Sequence, residues 1–170
     1  MLEEAVAELK RTKAEEQKAS AEWVPQITVD AAALMPESYI GDLDLRLSLY
    51  RRLAGLDDPA DIESFAAELI DRFGPMPPET ESLLQLVAVK QLCKRANVQK
   101  LDIGPKGVVL SFRDNRFARP ERLVGWIAES RGTMRVRPDH KLVLMKETKT
   151  PNERLRAARQ VVGELARMAA

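Results

Sequence analysis

Apolar residues recur at helical spacing up to about residue 96 and alternate along much of the remaining chain, so the sequence divides where the period changes. Leu2, Val6 and Leu9 stand at i, i+4 and i+7 and predict a helix over residues 1–20. Beyond Leu9 the stripe fades into Lys, Glu and Ala, too little to make a core, so this helix reads as the end of a preceding unit running into a linker. Residues 21–41 are expected to be mostly extended: Trp23, Val24, Ile27 and Val29 are strand-like, and Pro25 and Pro36 break any helix. Asp42 is placed to cap a helix over 43–55, with Leu43, Leu47, Tyr50, Leu53 and Ala54 on one face and Gly55 at its end. Asp58 caps a second helix that Pro59 opens, and Ile62, Phe65, Ala66, Leu69, Ile70 and Phe73 form its inward stripe. Gly74-Pro75 stops it. Pro78 opens a third helix to about Ala96, with Leu83, Leu84, Val87, Ala88 and Leu92 facing inward.

The later pattern predicts strands over 98–103 and 108–112, joined through Gly104-Pro105-Lys106-Gly107. Pro120 opens a helix holding Leu123, Val124, Trp126 and Ile127. Met134–Val136 and Leu142–Met145 form a second hairpin, turned at Pro138-Asp139-His140. Thr150-Pro151-Asn152-Glu153 is a capping box, and the last helix buries Leu155, Ala158, Val161, Val162 and Leu165. The expected fold is therefore α+β: three helices followed by two antiparallel β-hairpins, with an intervening helix and a C-terminal helix.

Charge adds an asymmetry that the near-neutral total conceals. Residues 1–85 carry 8 Lys/Arg against 18 Asp/Glu, a net of −10; residues 86–170 carry 19 against 8, a net of +11. Such a split favours oriented polar contacts, between halves or with partners, or is plain surface charge. The single cysteine, Cys93, excludes an internal disulfide and fits a reducing, cytoplasmic setting; its apolar helical neighbours read as burial. No apolar run is long enough to span a membrane, and the acidic start Met1-Leu2-Glu3-Glu4 is unlike a secretion leader.

Catalytic chemistry finds little support. Gly104-Pro105-Lys106-Gly107 lacks the spacing and the following Ser/Thr of a phosphate loop. One His and one Cys do not make a zinc site. His140 sits in a polar turn without a nearby acid or nucleophile, and Asp57-Asp58 is accounted for by capping. The chain is read as no enzyme by itself.

Two surfaces remain. Glu68, Asp71 and Arg72, at i, i+3 and i+4, share a patch at the C-terminal end of the second helix, where the helix dipole disfavours acids. A local Glu68–Arg72 pair accounts for Glu68 and leaves Asp71 unexplained; a docking partner accounts for both. The second surface is the basic set Arg113, Arg116, Arg119, Arg122, Arg131, Arg135 and Arg137, residues suited to phosphate or carboxylate partners. Of the nearby aromatics, Phe112 and Trp126 fit the core pattern rather than stacking platforms for bases.

The run from Pro36-Glu37-Ser38-Tyr39-Ile40 through Arg46-Leu47-Ser48-Leu49-Tyr50-Arg51-Arg52-Leu53-Ala54 to Glu68-Leu69-Ile70-Asp71-Arg72-Phe73-Gly74 resembles the C-terminal domain of bacterial transcription-repair coupling factor. The Val87-Ala88-Val89-Lys90 helix and the Leu101-to-Phe112 hairpin are similar to it too. The resemblance covers nearly all of residues 25–168. It implies a boundary with residues 1–22 as the tail helix of a preceding helicase-type motor domain and the start of a linker, and residues 23–170 as the domain. It further implies a parent that is an ATP-driven DNA translocase, which displaces stalled RNA polymerase and recruits excision repair. ATP and magnesium would belong to that upstream motor, with no cofactor in this part. The domain itself would be non-catalytic and would dock on an N-terminal module similar to the excision-repair helicase subunit. There it would mask the surface that recruits the damage-recognition ATPase until polymerase and DNA release it. The family's contact motif maps onto Glu68, Asp71 and Arg72. An accessory DNA-binding role for the basic second half is the alternative.

Overall fold

The computed structural model describes residues 23–170. The helix expected over residues 1–20 lies outside the described residues. The elements run β1 (Gln26–Val29), α1 (Leu43–Ala54), α2 (Pro59–Phe73), α3 (Pro78–Ala96), β2 (Val98–Gly104), β3 (Gly107–Phe112), α4 (Pro120–Glu129), β4 (Met134–Val136), β5 (Leu142–Met145) and α5 (Pro151–Ala169).

Helix starts follow the caps. The Asp42 carboxylate accepts from the Asp44 and Leu45 amides, and Asp58 accepts from Ala60. Thr150 accepts from the Glu153 amide at 3.2 Å, and the Glu153 carboxylate accepts from the Lys149 amide at 2.8 Å. The bonds from Asp44, Leu45, Ala60 and Glu153 satisfy amides that a helix's first turn leaves without intrahelical partners, and the Lys149 bond ties the residue before the cap to that turn. Proline stands in the first turn of α2, α3, α4 and α5, where no amide is needed. Gly74 ends α2 at φ 91° and ψ −170°, a conformation that disfavours any side chain.

Five strands form one mixed sheet in the order β1-β2-β3-β5-β4. The two expected hairpins join through antiparallel β3 and β5, and β1 is added parallel to β2. The register lines up Ile27, Leu101, Leu110, Leu142 and Val136 in one row and Thr28, Asp102, Val109, Val143 and Arg135 in the next. Apolar and mixed rows therefore alternate, as strand periodicity requires. Gly107 lets β3 approach β5 closely, because a Cβ there would meet the Leu144 carbonyl at 2.1 Å.

The interior has two parts. Strand residues Leu101, Val108, Leu110 and Leu142 pack against Val89, Cys93 and Ala96 of α3 and Leu155, Ala158, Val162 and Leu165 of α5. The second core joins Met35 and Ile40 to Leu49 and Leu53 of α1, Phe65 and Leu69 of α2, and Leu83, Leu84 and Ala88 of α3. Helix α3 thus serves both cores. That explains why it buries residues outside the single stripe expected for it.

Two expected inward faces are corrected. In α1 the buried residues are Leu49 and Leu53, while Leu43 and Leu47 are 58% and 44% exposed. Leu49 and Leu53 instead join the core that Met35 and Ile40 share with Phe65 and Leu69 of α2 and Leu83 and Leu84 of α3. In α2, Leu69 is fully buried, but Ile70 is 48% exposed because it lies one residue, about 100°, around the helix. Val124 of α4 is likewise exposed.

Candidate functional site

The C-terminal end of α2 is built against the loop before α1. The Tyr39 hydroxyl donates to the Gly74 carbonyl at 2.8 Å and lies 3.2 Å from the Leu69 carbonyl, and its ring meets Phe73 edge-on at 5.9 Å between centroids. Burial pushes the Tyr39 hydroxyl's pKa up, keeping it a donor. The Gly74 amide caps the Ile70 carbonyl at 2.9 Å. A fixed helix terminus results, with Asp71 and Arg72 outside it and Glu68 one turn back.

The Glu68 pairing differs from the sequence expectation. Its main partner is Arg52 of α1, at 2.6 Å and 3.3 Å to its two carboxylate oxygens, whereas Arg72 lies 3.7 Å away. The Arg52 hydrogen bonds hold the Glu68 carboxyl below its ordinary range. Arg52 also lies over the Phe65 ring at 5.3 Å, and Arg72 over Phe73 at 5.1 Å. Both guanidinium groups are therefore oriented from two sides. A sequence reading confined to one helix could not find Arg52, because the contact spans 16 positions.

Asp71 has no ion-pair partner among the described residues and is exposed in the last turn. It faces the negative end of the α2 dipole without compensation from a bonded cation. The patch presents one bound carboxylate, one unpaired carboxylate and a ring-stacked arginine. Its chemistry is that of a charge-complementary contact with a cationic surface.

The basic set is not one cluster. Arg113 and Arg116 follow β3 past Phe112, at the sheet end where Arg137 follows Val136, while Arg119 and Arg122 stand at the start of α4. Arg131 precedes β4 at the opposite end, and Arg135 stands in the Thr28–Arg135 row of the sheet. Several have local partners: Arg122 donates to the Met168 carbonyl at 3.3 Å, Arg137 pairs with Asp139 at 3.4 Å, and Arg113 lies over the Trp23 ring at 5.4 Å. Phe112 is buried and stacks obliquely on Phe117 at 5.1 Å, as its core pattern predicts.

Among the described residues no group of His, Cys, Asp or Glu is arranged to hold a metal, and no helix is long and apolar enough to cross a membrane. Cys93 is buried, and desolvation pushes its thiol up to about 12.

These features define a mixed α+β domain with a five-stranded sheet and a braced, charged helix end. Residues 29–123 match the family model of the TRCF domain. Transcription-repair-coupling factors are similar over most of the chain. The protein of Rickettsia prowazekii is 33% identical over 147 residues, 86% of this chain and 13% of that protein. The Haemophilus influenzae protein is 30% identical over 155 residues, 91% of this chain and 14% of its own length. A crystal structure of the C-terminal domain of transcription-repair coupling factor superposes with a TM-score of 0.70 at 21% identity, covering 86% of this chain and 94% of that one. The chain belongs to the TRCF domain family, and its fold is that of the C-terminal domain of transcription-repair coupling factor.

Proposed function

We propose that this domain is a regulatory docking module of a transcription-repair coupling factor. Its acidic helix end, through Asp71 with Glu68 and Arg72 beside it, holds the domain on a cationic surface of the parent's N-terminal repair-helicase-like module. Docking masks the surface that recruits the damage-recognition ATPase. Engagement of the parent, a cytoplasmic ATP-driven DNA translocase, with stalled RNA polymerase and DNA releases it.

One observation carries the reading: Asp71 is exposed, without an ion-pair partner among the described residues, on a helix end whose geometry is otherwise fully braced. The resemblance to the family contact motif adds to it. An exposed charge contact also suits reversal, since each pair is weak and screened by salt. A clamp that must open can favour its closed state by only a few kcal/mol.

The Glu68–Arg52 pair makes Asp71→Arg the sharper test, because that substitution leaves the pair in place. The 170-residue chain is mixed with the isolated N-terminal module, and binding is followed by calorimetry at low and moderate salt. Saturable binding that weakens with salt and with Asp71→Arg is expected. Undiminished binding by a variant that is folded by circular dichroism would remove Asp71 from the contact. If no module binding is seen and the chain instead shifts duplex DNA with a steep salt dependence, the basic half becomes the functional surface.

A further inference from the structure

Leu43, Leu47, Tyr50 and Ala54 stand at i, i+4, i+7 and i+11 on α1, a row about 16 Å long. Its first half is exposed, and its second half enters a cavity. Tyr50, Leu53 and Ala54 form one wall of a space of about 340 Å³, and Leu83, Leu86 and Val87 of α3 form the other. Small and peptidic ligands occupy spaces of about this size. Lys90 and Lys94, one turn apart on α3, and Arg95 also line it, against the one carboxylate of Asp57. None of the three cations has an ion pair among the described residues. At the Leu56 end, Gln91 donates to the Leu56 carbonyl at 2.8 Å, and its buried Oε1 has no donor among the described residues.

We propose that this α1–α3 groove docks an acidic amphipathic helix of a partner protein. The occupant's apolar side chains would cover Leu43 and Leu47 and enter the cavity between Tyr50 and Val87. Its carboxylates would meet Lys90, Lys94 and Arg95. The apolar row runs about 16 Å along α1 beside a cavity walled by a second helix, room for about three turns of an amphipathic helix laid in the groove. The unpaired cations select its charge. A small carboxylate would fill the cavity but leave Leu43 and Leu47 bare, and a nucleic acid would match the cations but not the apolar row. The groove is separate from the proposed α2 contact: Leu43 and Leu47 lie about 140–180° around α1 from Arg52.

The probe is a fluorescein-labelled model helix with leucines at i, i+4, i+7 and i+11 and glutamates elsewhere; its counterpart has lysines in place of the glutamates. Fluorescence anisotropy with the 170-residue chain should give saturable binding of the glutamate peptide, weakened by salt and at least about tenfold tighter than the lysine peptide. The surface variant Leu43→Ser/Leu47→Ser should weaken binding by about tenfold or more. Lys90→Glu/Lys94→Glu should reverse the preference between the peptides. Circular dichroism verifies the fold of each variant. Absent binding, equal binding of both peptides, or binding unmoved by both variants overturns the proposal. Sedimentation that detects a dimer abolished by Leu43→Ser/Leu47→Ser overturns it as well, assigning the groove to a second copy.

Discussion

Replacing Asp71 by lysine should make the domain more stable, although it removes a residue of the proposed contact. Asp71 lies two residues before the last residue of α2, is exposed, and has no ion pair among the described residues to lose. An acid in that turn opposes the helix dipole, and a base in the same place complements it, each by about 0.3–1 kcal/mol. A lysine would also stand at i+3 from Glu68, an added favourable neighbour. The sum is about 1 kcal/mol or slightly more. For a domain of this size that is a rise in Tm of about 2–4 °C. Urea unfolding followed by circular dichroism should show a higher midpoint at an unchanged slope. Part of the gain should disappear in 1 M salt, where the screening length falls to about 3 Å. A neutral or destabilising effect in low salt would mean that Asp71 has an intramolecular role, and the argument for an external partner would fail. A gain in stability together with weaker docking would show function held at the expense of stability, as is common at working surfaces.

Three further outcomes test the fold and its electrostatics. Arg52→Gln should raise the Glu68 carboxyl midpoint in a carbon-detected NMR titration; because Arg52 lowers that pKa, the pair stabilises above the ordinary value of 4.5 and is lost as pH falls through the lower folded value. An unmoved midpoint would show that the pair does not form in solution. Leu69→Ala should cost about 2–5 kcal/mol in urea unfolding, and Ile70→Ala under about 1 kcal/mol, since only Leu69 is fully buried; similar costs would contradict the orientation of α2. Burial raises the Cys93 thiol from an ordinary 9.0 to about 12, so its contribution is intact below pH 9 and declines as pH climbs toward 12. Cys93→Ala should therefore lose about 1 kcal/mol less than the parent between pH 8 and pH 10, and an identical loss would refute the burial.

Element boundaries were legible because their signals are local. Asp42, Asp58 and Thr150 cap as their side chains dictate, and four prolines mark first turns. Both hairpins lie where the alternation placed them. Facing and pairing were less legible because they are decided at a distance. Residues 26–29 read as extended, but nothing local says that they pair parallel to β2, some 70 positions on. The α1 row containing Leu43 and Leu47 has the spacing of a core face, and tertiary packing selected the Leu49 side instead. Arg52 was hidden for the same reason, since the register between two helices is not written in either. At the candidate site, the place of Asp71 in the last turn of α2 could be read from the Gly74-Pro75 stop, whereas the Glu68–Arg52 pair depends on how α1 and α2 sit in the fold.

Because α3 contributes to both cores, α1 and α2 cannot leave it without opening one of them. Withdrawing them would strip Leu83, Leu84 and Ala88 from one side of a helix whose other side holds the sheet. Amide exchange in α2, α3 and β2 should accordingly proceed through one common opening, so that detachment of this domain from any surface is a departure of the intact unit.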